Sequence, residues 1–380
     1  MDYPYIILML FLFVLLGADL YKPNKIYSYL APISVLLFIG LRAPVVGGDT
    51  IDYVRLFEGS KAGVYTYYTH VELLYRTYST FMGTVLMTNG VLFLITHTFL
   101  SLFPFYLLMR KCSRNIPFSC LLFMIMMLYV HYMSALRQIL GMGILFLGMW
   151  YFIEEKKYKW YIFIGSGVLG FFMHSSVLIT FFGYLICYFV RYRTKMVPYI
   201  SILVSALVGR VFHWLNIQSI LKLIASNQIS ELERMNTYLG WSLSDDDNAS
   251  LLRLLSSSII ALAFFYMMTT KQATHWFSKI FLLGIIINNL FYEVRMLDRL
   301  ILPFMLFATI CYTWMFNIKY RLSKKRLKIV YQSMLIISLV YLTQSYVKQN
   351  TNYDSFGALL LHPYYFFWQD YSDHPTYKVR

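Results

Sequence analysis

"SALRQILGMGILFLGMWYFIEEKKYKWYIF", residues 134–163, decides the fold. Beyond Arg137 and Gln138, the run 136–153 is apolar on every side. At 1.5 Å per residue its length comes to about 27 Å, close to the ~30 Å hydrocarbon thickness of a bilayer. A short charged stretch, "EEKKYK" (154–159), ends the run before a second apolar segment begins. That pattern predicts two membrane helices joined by a tight basic loop.

The same grammar repeats along the chain. Its 380 residues are 59% hydrophobic and 13% charged, and the second figure is about half the usual share of a soluble domain. Apolar spans are expected at roughly 3–20, 28–41, 91–109, 117–131, 136–153, 159–173, 175–190, 197–213, 251–269, 276–292, 299–317 and 328–347. The fold class is therefore an all-α polytopic membrane bundle of about 12 transmembrane helices, forming one domain over 1–380. The opening stretch lacks a basic n-region and a small-residue cleavage site, so it reads as a retained first helix.

The formal net charge is +15, and most of that excess sits in short loops. "RKCSRN" (110–115), "EEKKYK" (154–159), "RYRTK" (191–195) and "KYRLSKKRLK" (319–328) agree on one cytoplasmic side, which argues against nucleic acid as the partner. The outer side then receives 42–90, 214–250 and the tail 348–380. Within 42–90, the segment 71–87 carries Glu72, Arg76, Thr77, Ser79 and Thr84, and reads as an interfacial helix rather than a crossing. The loop 214–250 has apolar residues at helical spacing and reads as an amphipathic surface helix. Cys112, Cys120, Cys187 and Cys311 lack ligand spacing and read as packing residues. The run "SDDDN" (244–248) reads as a solvated turn, so no metal or cofactor is expected.

The outer ends collect the chemistry. "RAPVVGGDTIDY" (42–53) sets Arg42, Asp49 and Tyr53 around two glycines. Arg137 and Gln138 start a helix, where orphan N–H groups favour anions; a snorkelling arginine is the structural alternative. His174, in "GFFMHSSVLI" (170–179), is either a packing residue or a base, with Ser175 and Ser176 placed to cap the following helix. In "EVRMLDRLILP" (293–303), Arg295, Asp298 and Arg299 share one helical face, as an ion-pair triad or as a phosphate clamp.

In this order, with "VELLY" (71–75) and the terminal "HPYYFFW" (362–368), these motifs resemble the EpsG family of Wzy-type polysaccharide polymerases. The doubled Gly47–Gly48 departs from that family's commoner glycine-threonine pair. The resemblance implies a GT-C-like polymerase/ligase fold and a bacterial cytoplasmic-membrane glycosyltransferase whose active face is periplasmic. Its substrates would be undecaprenyl-diphosphate-linked oligosaccharides, and the lipid bilayer and a chain-length regulator of the same pathway would be its partners. Arg42 and Arg137 would hold the diphosphate, with Arg295 and Arg299 as further donors and Gln138 as a further substrate contact. His174 or Asp49 would orient or deprotonate the acceptor hydroxyl, and Tyr53, Tyr132, His362 and Tyr364 would line the sugar. The rival from another class is a lipid-linked oligosaccharide flippase, which should show repeat symmetry and charges near the midplane. A related membrane ligase or acyltransferase would differ in its acceptor.

Overall fold

The computed structural model describes residues 3–62, 71–86, 89–215, 247–292, 298–316 and 364–370. Every regular element among them is helical, with one isolated bridge between Arg42 and Phe366. Three helices are long and apolar enough to cross a membrane, Tyr3–Tyr21, Gly90–Cys112 and Leu136–Ile153, and eight shorter apolar helices accompany them. Their outward faces carry large apolar side chains such as Ile7, Val14, Leu207 and Ile259, all exposed. Such a surface suits hydrocarbon, and helices satisfy their backbone polar groups without water. The protein is a helical membrane protein. The expected span 328–347 and the surface helix of 214–250 fall largely outside the described residues.

The chain divides into two compact units, one of 1–181 with 316–380 and one of 182–315. The first is built from α1 (Tyr3–Tyr21), α2 (Lys25–Gly40), α3 (Thr50–Lys61), α4 (Leu73–Thr80), α5 (Gly90–Cys112), α6 (Ile116–Ile125), α7 (Tyr129–Ser134), α8 (Leu136–Ile153) and α9 (Lys159–Met173). α4 runs on into a π turn at Phe81–Val85. Together they are shorter than the ~20 residues a crossing needs. The expected single span 117–131 is broken in two: Met127 adopts a φ of 53° between α6 and α7. No glycine or proline in the sequence announces that break.

Connectivity sorts the polar groups of this unit by end. At one end Asp19 accepts from the Asn24 amide (3.3 Å) and from Asn115 Nδ2 (2.6 Å), while Lys111 pairs with Glu154 at 2.8 Å. These bonds gather the end of α1, the starts of α2 and α6, and the ends of α5 and α8. The opposite end holds the loop 41–49, the starts of α3, α4 and α8, and the end of α9. α8 and α9 run antiparallel and touch through glycine. A Cβ on Gly141 would come within 2.9 Å of the Gly170 carbonyl, and one on Gly170 as close to that of Gly141.

The second unit contains α10 (Ser176–Phe189) from Phe182 onward, α11 (Met196–Trp214), α12 (Asp247–Met267), α13 (Thr270–Ala273), α14 (Trp276–Leu290) and α15 (Asp298–Cys311). Asn289, fully buried, ties three of these helices together: its Oδ1 accepts from Ser258 at 3.2 Å and its Nδ2 donates to Ser205 at 3.1 Å. Interhelical amide bonds of this kind take the place of the hydrophobic effect that lipid removes.

Candidate active site

α2 ends at Gly40, leaving its last carbonyls without intrahelical donors. The chain covers them with its own side chains. Arg42 folds back so that Nη1 donates to the Ile39 carbonyl at 2.5 Å and Nε to that of Val46 at 3.3 Å. The Tyr364 hydroxyl donates to the Phe38 carbonyl. α7 ends in the same way, and the carbonyl of Met133 takes Arg42 Nη2 at 3.2 Å together with the Thr50 hydroxyl. Arg42 is thereby 0% exposed, with neutral oxygens as its acceptors. Burial pushes its guanidinium down to about 10, still charged at neutral pH.

Gly47 makes the turn possible. Its φ is 102°, and a Cβ there would strike the Met133 carbonyl that Arg42 and Thr50 use. Asp49 follows as the half-buried N-cap residue of α3, its carbonyl accepting from the Tyr53 amide.

One helical turn into α3, Tyr53 meets Arg137. The guanidinium lies 5.8 Å from the Tyr53 ring centroid, Nε donates to the Tyr53 hydroxyl at 3.5 Å, and Nη1 donates to Glu72 Oε2 at 2.5 Å. The side chains of Arg137 and Glu72 are 24% and 23% exposed, so the pair sits at the edge of the packing rather than inside it. Below it Tyr75 packs edge-on to Tyr53 at 5.9 Å. Leu56, Tyr75, Leu140 and Met173 form one buried cluster, which brings α3, α4, α8 and the end of α9 together. Glu72 and Tyr75 belong to "VELLY", and sequence reasoning did not assign them to the site. Their signal was an acid at the N-cap position directly before the mixed helix 73–80.

His174 follows Met173 directly and breaks the helix, with φ −161° and ψ 126°. Its Nδ1 lies 2.7 Å from Ser176 Oγ and accepts from the Ser176 amide at 3.3 Å. The expected serine cap of α10 is thus replaced by the imidazole, because extended backbone at 174 swings the ring over the first free amide. With Nδ1 accepting, the neutral ring carries its proton on Nε2.

The remaining expected residues separate. Gln138 is buried one position after Arg137. Tyr132 is buried against Phe123 at 5.3 Å, and Tyr364 is 3% exposed, stacked on Phe38 at 4.7 Å and edge-on to Tyr5. Burial pushes the Tyr364 phenol above its ordinary value. Beyond it, Phe366 and Trp368 stack at 4.6 Å with Trp368 60% exposed. Arg299 is exposed near the start of α15 in the second unit, while Arg295 and His362 lie outside the described residues. Among the described residues no three His, Cys, Asp or Glu side chains gather as a metal site.

Compared with known proteins, the chain matches the family described as EpsG over residues 25–361. No curated protein and no solved structure matches it.

Proposed function

We propose, since this chain belongs to the EpsG family of Wzy-type polysaccharide polymerases, that it is a glycosyltransferase acting on undecaprenyl-diphosphate-linked oligosaccharide repeat units. It works at the outer face of the bacterial cytoplasmic membrane and transfers the growing glycan onto the terminal sugar of the incoming unit. The observation that carries the reading is Arg137, a partly exposed guanidinium at a helix start, aimed by Glu72 and Tyr53. A planar cation fork at a helix start suits a diphosphate oxygen better than it suits a sugar hydroxyl.

In the reaction the acceptor hydroxyl oxygen bonds to the anomeric carbon of the donor glycan. The bond from that carbon to the diphosphate oxygen breaks, and the diphosphate leaves with the electron pair. Arg137 stabilises the charge that develops there. The hydroxyl proton goes to a carboxylate, Asp49, at the start of α3. His174 presents an N–H at Nε2 and acts as a donor that orients substrate, since its Nδ1 is held by Ser176. Arg42 enters as a positioning residue, in place of the diphosphate ligand suggested by sequence: its donors shape the turn that carries Asp49. Arg295, Arg299, Tyr53 and His362 remain substrate contacts of this reading, the buried Gln138 does not, and a chain-length regulator remains its partner.

The test is purified protein supplied with a single lipid-linked repeat unit. The proposal expects a ladder of longer glycans with release of undecaprenyl diphosphate, and no ladder from Arg137→Ala. Movement of the unit across a vesicle membrane without lengthening would replace it with a flippase. An unchanged ladder from Arg137→Ala would remove Arg137 from the site.

A further inference from the structure

A groove of 280 Å³ opens between α2, α5 and α6, with one end at the basic end of the first unit. Pro32 and Leu36 form one wall, Phe103 and Leu107 the other, and Tyr29 and Arg110 stand at one end. Its lining is almost wholly apolar, and its rim continues into exposed Ile33, Phe99 and Phe103. An occupant that fills it from the bilayer is a hydrocarbon chain.

The polar end decides which hydrocarbon chain. The last turn of α5 carries two cations, Arg110 and Lys111. Lys111 is neutralised by Glu154 at 2.8 Å. Among the described residues Arg110 has no carboxylate partner; it is exposed and lies 5.5 Å over the Tyr29 ring. Tyr29 stands in the second turn of α2, whose N-terminus is already capped by Asn24 and faced by Asp19, which leaves Arg110 as the cation of the groove's polar end. A guanidinium without a carboxylate partner at the end of an apolar groove matches a phosphodiester with an acyl chain attached. The clusters 110–115 and 154–159 put this end at the cytoplasmic leaflet by the positive-inside rule, where anionic lipids reside.

We propose that this groove is a binding site for one anionic phospholipid, its phosphate on Arg110 and one acyl chain between Pro32, Leu36, Phe103 and Leu107. The site is independent of the polymerase reading, since none of these residues belongs to the Arg137 cluster.

The experiment uses the full chain in detergent, titrated with phosphatidylglycerol or with phosphatidylcholine of identical chains. Bound lipid is counted by native mass spectrometry and stability by thermal unfolding. Wild type should bind phosphatidylglycerol about fivefold more tightly, the effect of roughly one basic residue at a lipid surface, and Arg110→Gln should bring the two lipids level. Leu36→Trp, which fills the groove, should lose the bound lipid of either headgroup; Ile33→Trp at the rim serves if the first variant does not insert. Undiminished phosphatidylglycerol preference in Arg110→Gln overturns the proposal. So does lipid retained after the groove is filled, or a polyprenyl phosphate that binds there equally well with and without Arg110.

Discussion

Arg137 Nη1 and Glu72 Oε2 lie 2.5 Å apart, so one ion pair ties the start of α8 to the start of α4 across 65 residues. Both side chains are three-quarters covered, which keeps water from screening the pair as it would at a free surface. A double-mutant cycle of Arg137→Ala and Glu72→Ala, read by unfolding in detergent, should give a coupling of ~1 kcal/mol or more. Additive losses within about 0.3 kcal/mol would mean that the pair does not hold the two helices.

The hydroxyl-bearing turn around Arg42 leads to a second expectation. Arg42→Met should cost ~3 kcal/mol, because the carbonyls of Ile39, Val46 and Met133 lose their shared donor inside the protein. Thermal unfolding measures this directly, and a loss below about 1 kcal/mol would contradict the role.

Gly47→Ala should destabilise by ~1–3 kcal/mol through its positive φ and the clash with the Met133 carbonyl. Gly165→Ala is the control, since nothing stands within 4 Å of the added methyl. The comparison fails if both variants melt alike.

For His174 the two nitrogens make different predictions. His174→Gln places an amide N–H near the Nε2 position and should retain measurable polymer, whereas His174→Ala should lose about 100-fold or more. Equal loss in both, with unfolding temperatures unchanged, would point to proton abstraction by the imidazole instead of donation.

Acid should act on the second unit through His275, the N-cap of α14, whose Nδ1 accepts from the Phe277 amide at 3.3 Å. Desolvation beside Trp314 and Phe277, with Lys279 and Lys271 adding, holds it down from 6.5 to about 4. The unfolded chain therefore binds the proton first, and stability contributed by the neutral cap falls as pH drops from about 6.5 towards 4. His275→Asn keeps an N-cap acceptor without the titration, so the pH dependence of unfolding in that window should flatten.

Much of the fold was legible because a bilayer demands long apolar runs, and those runs mark their own ends. The long apolar helices among the described residues follow the expected spans to within a few residues, apart from the break at Met127, whereas α3 (Thr50–Lys61) forms in a stretch that was read as loop. Tyr53 and Arg137 were both named as site candidates, but their contact was not, because only the fold brings α3 to the start of α8. Arg42 was not legible in its role: a sequence displays the charge but not the carbonyls of Ile39, Val46 and Met133 that satisfy it, since every residue has a carbonyl. Tyr364 misled for a related reason. An aromatic in a polar tail suggests a sugar platform, yet this one packs on Phe38 and Tyr5, partners that only the folded chain brings near.

The antiparallel bridge of Arg42 with Phe366 and the bond from Tyr364 to Phe38 join partners as much as 326 residues apart. Synthesis proceeds at about 5–20 residues per second, so the end of α2 waits for tens of seconds before its cover is made. During that interval the early helices can already be inserted while the turn bearing Asp49 stays open at its edge. A chain that stops short of Tyr364 would therefore carry its early helices with the end of α2 left uncovered.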